Sequence, residues 1–280
     1  MIADELVLYA GCLPATPFRE LVEAASSAGF DAISLWPLMY QRALSREGLD
    51  TTTMRRLLDD HGMRIVDLDP CGVWLPEQPD DVDAPTMFRS RWQRQQFFEV
   101  AGALGVDCLV AVHLGDSEVP DDIAIGGFAG LCDDAAEHGL AVALEFMPFS
   151  GVPDLASAVR IVAGADRPNG GIVLDLCHFA RSGGSDADLA SLPQGVVRSI
   201  QLGDGPDEAP ADLRDEAMFH RALPGQGDFR LAARLALLAA GDVRACIGPE
   251  LFQRGFSERP AAVVAADLMA ATRAVLEAAG

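Results

Sequence analysis

Residues 136–146 read AEHGLAVALEF, and this short run decides the fold. An amphipathic segment stops at a glycine able to take the left-handed conformation, and an apolar run ending in a carboxylate follows at once. The same junction recurs at SSAGFDAISLW (26–36), DDHGMRIVDLD (59–69), GALGVDCLVAV (102–112), RPNGGIVLDL (167–176), LPQGVVRSIQL (192–202) and LAAGDVRACIG (238–248). With ELVLYAG (5–11) at the start, the chain carries eight strand candidates. Each is apolar at nearly every position rather than alternating, the pattern of parallel strands covered on both faces. Segments with helical spacing lie between them at 17–28, 51–61, 86–104, 153–165 and 259–279. Several open with Pro or Thr, as in TPFRELVEAA, TTTMRRLL and APTMFRS. Consecutive β-then-α units predict an α/β fold of the (β/α)8 barrel type rather than an open doubly wound sheet.

Composition agrees and excludes several functions. No linker or composition shift divides residues 1–280, so the expectation is one domain. Half the residues are hydrophobic and mean hydropathy is +0.18, enough apolar surface for a large core. A net charge of -21, from 42 acidic against 21 basic residues, would repel a phosphate backbone, so nucleic acid is not expected as a partner. The six cysteines are scattered singly, without a CxxC pair, and read as small buried hydrophobes in a reducing compartment. The N-terminal MIADELVLYAGC is acidic where a secretory signal would be basic, and no apolar run approaches membrane-spanning length. A cytoplasmic protein without membrane contact is expected.

In such a barrel, polar residues at the C-terminal ends of strands face a shared pocket. The fifth strand ends in Glu145, the sixth in Asp175 with His178 just beyond, the seventh in Gln201 and the eighth in Glu250. A lone acid at a strand end is ordinarily a salt-bridge partner or a helix cap. Four oxygen donors at corresponding points of consecutive repeats are different, because converging buried carboxylates repel one another unless a cation binds them. Three carboxylates and one amide oxygen form a hard donor set suited to one divalent ion, Mn2+ or Mg2+, and admitting Co2+; no cysteine or histidine set suggests structural zinc. His113 ends the fourth strand and is a weaker substrate contact by position. His61 and His138 precede helix-ending glycines and are assigned no function. Trp36 and Trp74 follow the second and third strands, as pocket walls or as core. The irregular stretch 203–227 follows the seventh strand, where active-site loops form; a disordered insertion is the plain alternative.

Five segments, ALEFMPFS (143–150), GGIVLDLCHFARSGG (170–184), SIQLGDGP (199–206), HRALPGQGDF (220–229) and IGPELF (247–252), resemble the motifs of the xylose isomerase-like TIM barrel superfamily, the sugar phosphate isomerases and epimerases. The resemblance spans nearly the whole chain. It implies metal ligands at Glu145, Asp175, Gln201 and Glu250, an acid/base pair at Glu145 and Glu250, and substrate contacts at His178 and Arg221. Arg221 would bind a substrate hydroxyl or carboxylate, a surface ion pair being its plain alternative, and its neighbour His220 is less specific. Gly225 and Gly227 make a tight turn rather than a phosphate cradle. The family often has His where this chain has Gln201, a variant shared with hydroxypyruvate isomerase-like and some dehydratase-like members.

The implied reaction is isomerisation or epimerisation of a sugar or keto-polyol through a metal-stabilised enediolate. The alternative is a metal-dependent dehydratase of a cyclic keto-polyol of the 3-dehydroshikimate or inosose type. A non-catalytic binding role is the contrast class. The DNA-repair chemistry of endonuclease IV, in the same superfamily, needs a histidine-rich three-metal site, whereas this acidic chain has five histidines. The expected partners are small carbohydrate or polyol substrates, with a homodimer or homotetramer as the expected assembly.

Overall fold

A computed structural model describes residues 3–75 and 92–280. Eight strands form: β1 (Ala3–Leu8), β2 (Ala32–Leu35), β3 (Arg64–Cys71), β4 (Cys108–Ala111), β5 (Ala141–Glu145), β6 (Gly170–Asp175), β7 (Val197–Leu202) and β8 (Ala245–Pro249). All neighbours pair in parallel and β8 returns to β1, through Leu6 opposite Ile247, so the sheet closes in chain order. This is the expected (β/α)8 barrel.

Eleven α-helices among the described residues cover it: α1 (Phe18–Ala28), α2 (Pro37–Arg46), α3 (Thr51–Asp60), α4 (Arg94–Leu104), α5 (Asp121–Ala136), α6 (Leu155–Ala165), α7 (Leu176–Arg181), α8 (Asp186–Ala190), α9 (Leu213–Phe219), α10 (Leu231–Ala240) and α11 (Ala261–Ala279). The sequence-predicted helix at 86–104 survives as α4; its first part, with APTMFRS, lies outside the described residues. α11 packs between α1 and α10, closing the helical layer as the sheet closes inside it. Leucine, isoleucine and phenylalanine side chains from the outward faces of the strands and the inward faces of the helices make one continuous buried core. Among the described residues no helix is long and apolar enough to cross a membrane, and all six cysteines are free.

The junctions behave as read, with two exceptions. Gly29, Gly62, Gly105 and Gly139 adopt positive φ between a helix and the next strand. After α6 the left-handed residue is instead Asp166 (φ 50), and after α10 it is Asp242 (φ 57), while Gly241 stays at φ -82. Aspartate tolerates that region because its short polar side chain bonds locally. Gly171 serves close approach: a Cβ there would lie 2.7 Å from the Val196 carbonyl and 2.5 Å from the Arg198 side chain.

Pairing register aligns the strand ends. Glu145 lies opposite Val173, Asp175 opposite Gln201, and Gln201 opposite Gly248, two residues before Glu250. Side chains alternate along a strand, so Glu145, Asp175, Gln201 and Glu250 share the inner face at the C-terminal end. β3 adds one extra residue against β2, since Ile33 faces Ile65 but Leu35 faces Leu68. Its Asp67 and Asp69, two apart, are both buried. The 203–227 segment is ordered rather than a disordered insertion: α9 lies within it, and Asp204 bridges Ala222.

Candidate functional site

The four acidic and amide groups read from the strand ends are all buried, Glu145 at 6% exposure, Asp175 at 0%, Gln201 at 1% and Glu250 at 3%. Burial pushes Glu145 well above the usual carboxylate range, helped by the charges of Glu250, Asp69 and Asp175. Glu250 is raised in the same way, by burial and then by Asp69. Both acids therefore bind a proton more tightly than a free carboxyl does. Asp175 is held low: burial pushes its carboxyl up, but the Arg221 guanidinium, His178 and the backbone N–H of His178 outweigh that.

Asp175 is anchored at both oxygens. Its Oδ1 accepts from the N–H groups of Cys177 (2.7 Å) and His178 (2.9 Å), capping α7, and its Oδ2 accepts from Arg221 Nη1 at 2.7 Å. Arg221 also donates from Nη1 to the Glu250 carbonyl (2.9 Å) and from Nη2 to His178 Nε2 (3.1 Å). An arginine has no acceptor, so His178 Nε2 must accept and the proton sits on Nδ1. Burial agrees, lowering the imidazole to about 4. The approaches of His178 Nε2 to Glu145 (3.8 Å) and Asp175 (3.6 Å) are thus neutral contacts rather than ion pairs.

Glu145, Asp175 and His178 offer ligand atoms that all lie within 4.8 Å of one another and could hold a metal ion. Glu250 is outside that tight group but lines the same pocket. Gln201 Oε1 is buried without a hydrogen-bond partner. Leaving such an oxygen unsatisfied costs about 1–3 kcal/mol, and a bound cation would satisfy it. Clustered carboxyls with raised proton affinity, next to an orphaned amide oxygen, fit a hard divalent ion.

The pocket above these groups has apolar walls, Val112, Leu114, Met147, Phe149, Met218 and Phe252, and takes in about 620 Å³, its open mouth included. Other sequence-predicted positions are resolved as follows. His113 is buried at the end of β4, with Nδ1 accepting from the Gly151 N–H at 3.0 Å. His220 is exposed, 3.1 Å from Asp215. Trp74 is core, its Nε1 donating to the Val112 carbonyl. Trp36 stacks on Phe252 at 5.7 Å and donates to Asp69 Oδ2. Gly225 has φ 80 and donates its N–H to Asp204, a turn as read.

Two charged pocket residues were missed. Asp69, lifted to about 8 by burial and by Asp67, lines the pocket; the paired aspartates of VDLD, charges two apart in an apolar strand, were the signal. Arg214, on α9, also lines it, and nothing local in the sequence marks it.

Comparison with known proteins places this geometry. The sequence profile of the xylose isomerase-like TIM barrel family matches residues 22–274. A 3-dehydroshikimate dehydratase of Pseudomonas aeruginosa is 28% identical over 269 residues, covering 93% of this chain. The chain spans 39% of the length of that relative. An inosose isomerase of Bacillus licheniformis is 32% identical over 162 residues, covering 55% of this chain and 57% of its own. Among solved structures, a crystal structure of the IOLI protein with a zinc atom superimposes with a TM-score of 0.84 at 20% identity, covering 98% of both chains. That last likeness is one of fold.

Proposed function

The chain belongs to the xylose isomerase-like TIM barrel family, and on that premise we propose that residues 1–280 form one catalytic module, a divalent-metal-dependent dehydratase of a cyclic keto-polyol of the 3-dehydroshikimate type. One observation carries the metal-dependent part: Gln201 Oε1 is buried and unpartnered in a site whose acids have their proton affinity raised by burial. The choice of dehydration follows the dehydratase relative that matches 93% of this chain. The sequence motifs point first to isomerisation, and both reactions begin with proton removal next to a carbonyl.

Glu145, Asp175, Gln201 and Glu250 would hold the ion. When bound, a divalent ion such as Mn2+ or Mg2+ supplies Lewis-acid polarisation of the substrate carbonyl. Glu145 and Glu250 do the proton work at the pocket floor. One carboxylate removes the proton from the carbon next to the carbonyl, and the other acid delivers a proton to the β-hydroxyl, which leaves as water. Asp175, fixed by its two N–H donors and Arg221, stays ionised and immobile. His178, neutral and held by Arg221, faces Phe149 edge-on at 5.6 Å and presents its ring to the pocket as a hydroxyl contact.

A second reading is favoured by the inosose isomerase relatives: the same two acids return the proton to a neighbouring carbon, and no water is lost. The test is to incubate Mn2+-loaded protein with 3-dehydroshikimate and with an inosose in deuterated water. Aromatic product absorbance from the first supports dehydration. Deuterium uptake into the inosose without water loss supports isomerisation, and neither event on either substrate overturns both readings.

A further inference from the structure

The charges lining the pocket are unequally spent. Asp69, Glu145 and Glu250 are acids, His178 is neutral, and the cations are Arg221 and Arg214. Arg221 is 2% exposed, and its Nη1 and Nη2 are occupied with Asp175, the Glu250 carbonyl and His178, while its buried Nε has no hydrogen-bond partner. Arg214 differs. Its guanidinium carbon sits 5.0 Å from the centre of the Phe149 ring, Nη2 donates to the Phe149 carbonyl at 3.0 Å, and Nη1 makes a long 3.4 Å contact with the Leu114 carbonyl. These contacts fix the planar fork against the pocket wall while engaging only two of its five N–H groups. Among the described residues no carboxylate pairs with it. Its helix neighbours are used elsewhere: Asp212 caps α9 through the N–H groups of Arg214 and Asp215, and Asp215 faces His220 and Arg254.

A held guanidinium with unspent donors, at the rim of a pocket whose floor is acidic, is suited to one kind of substrate group. We propose that Arg214 is the specificity residue that selects a substrate carrying a carboxylate, so that the ring enters with its carboxylate on α9 and its ketone and hydroxyl toward Glu145 and Glu250. The proposal rests on the reading above and deepens it. Arg214 gives a carboxylate on the ring a cationic partner within the pocket that Glu145 and Glu250 also line.

Two arms test this with Arg214→Gln and Arg214→Lys in the full chain, loaded with Mn2+. In the first, calorimetry measures binding of shikimate, a carboxylate-bearing ring without a ketone to react, and of neutral myo-inositol. The wild type should prefer shikimate, Arg214→Gln should lose that preference by about 10- to 100-fold, the range of one or two charge-assisted hydrogen bonds, and Arg214→Lys should recover part of it. In the second, kcat/KM for 3-dehydroshikimate relative to its methyl ester should fall by the same factor. No shikimate preference in the wild type, or equal loss of both ligands in Arg214→Gln together with a lower Tm, overturns the proposal and leaves Arg214 as a strut for α9. The binding arm stands without turnover, so a failure of the dehydratase reading shows only in the second arm.

Discussion

Removing the Arg221 side chain should unfold this protein more readily than any exposed arginine change. In Arg221→Met the guanidinium leaves a fully buried Asp175 carboxylate, the Glu250 carbonyl and His178 Nε2 without their donor. Removing one partner of a buried ion pair costs about 3–5 kcal/mol because the remaining charge stays desolvated. For a chain of this size each kcal/mol lowers Tm by about 2–4 °C, so a fall of roughly 6–20 °C is expected by calorimetry with chelator present. Arg230, 62% exposed in its pair with Asp186, provides the contrast: Arg230→Met should cost under about 1 kcal/mol. The effect should also depend on pH. Asp175 has a depressed folded-state pKa, so its contribution is present above the ordinary carboxylate range and is lost as pH falls through the folded value. The variant and the wild type should therefore converge in acid. A Tm change for Arg221→Met no larger than that for Arg230→Met would refute the reasoning.

Two further outcomes follow from the buried acids. Burial, with the charge of Glu250, raises Asp67 from 3.8 to about 8, so the metal-free protein should lose stability as pH climbs between those values, by roughly 1.4 kcal/mol per unit for this group; Asp67→Asn should flatten that slope in urea titrations at pH 5 to 7, and an unchanged slope would show that Asp67 ionises freely in the fold. Glu145→Gln should keep the far-UV spectrum of the wild type and lose turnover by at least about 100-fold, the usual contribution of a positioned acid or base; full activity would remove Glu145 from the mechanism.

Much of the fold was legible because both faces of every strand are covered. Runs such as DCLVAV and GGIVLDL could not belong to a sheet with a wet face, and the glycine junctions divided them from their helices. The exceptions, Asp166 and Asp242, show that a backbone position rather than a residue type ends those helices. That Glu145, Asp175, Gln201 and Glu250 gather at one end of the barrel was legible because each lies at or within one residue of a strand's end, and parallel register brings strand ends together. What was hidden depends on how loops fold back. Arg221 reads as a substrate anchor from its motif, yet its donors are directed at Asp175, His178 and the Glu250 backbone, contacts made across 29 to 46 residues. Arg214 meets Leu114 and Phe149 only because α9 lies over the pocket mouth, a separation of 100 residues for the first contact. Asp69 carried a visible signal, an acid inside an apolar strand, but its place beside Glu250 needs the extra residue in β3.

The account stands on one claim, that oxygens from β5, β6, β7 and the end of β8 are arranged for a single divalent ion. Crystals of the Mn2+-loaded chain measured at the manganese absorption edge test it directly. The account predicts one anomalous peak within bonding distance of Glu145, Asp175, Gln201 and Glu250. A map without a peak there, or with Gln201 Oε1 still unpartnered beside a fully loaded protein, would contradict it.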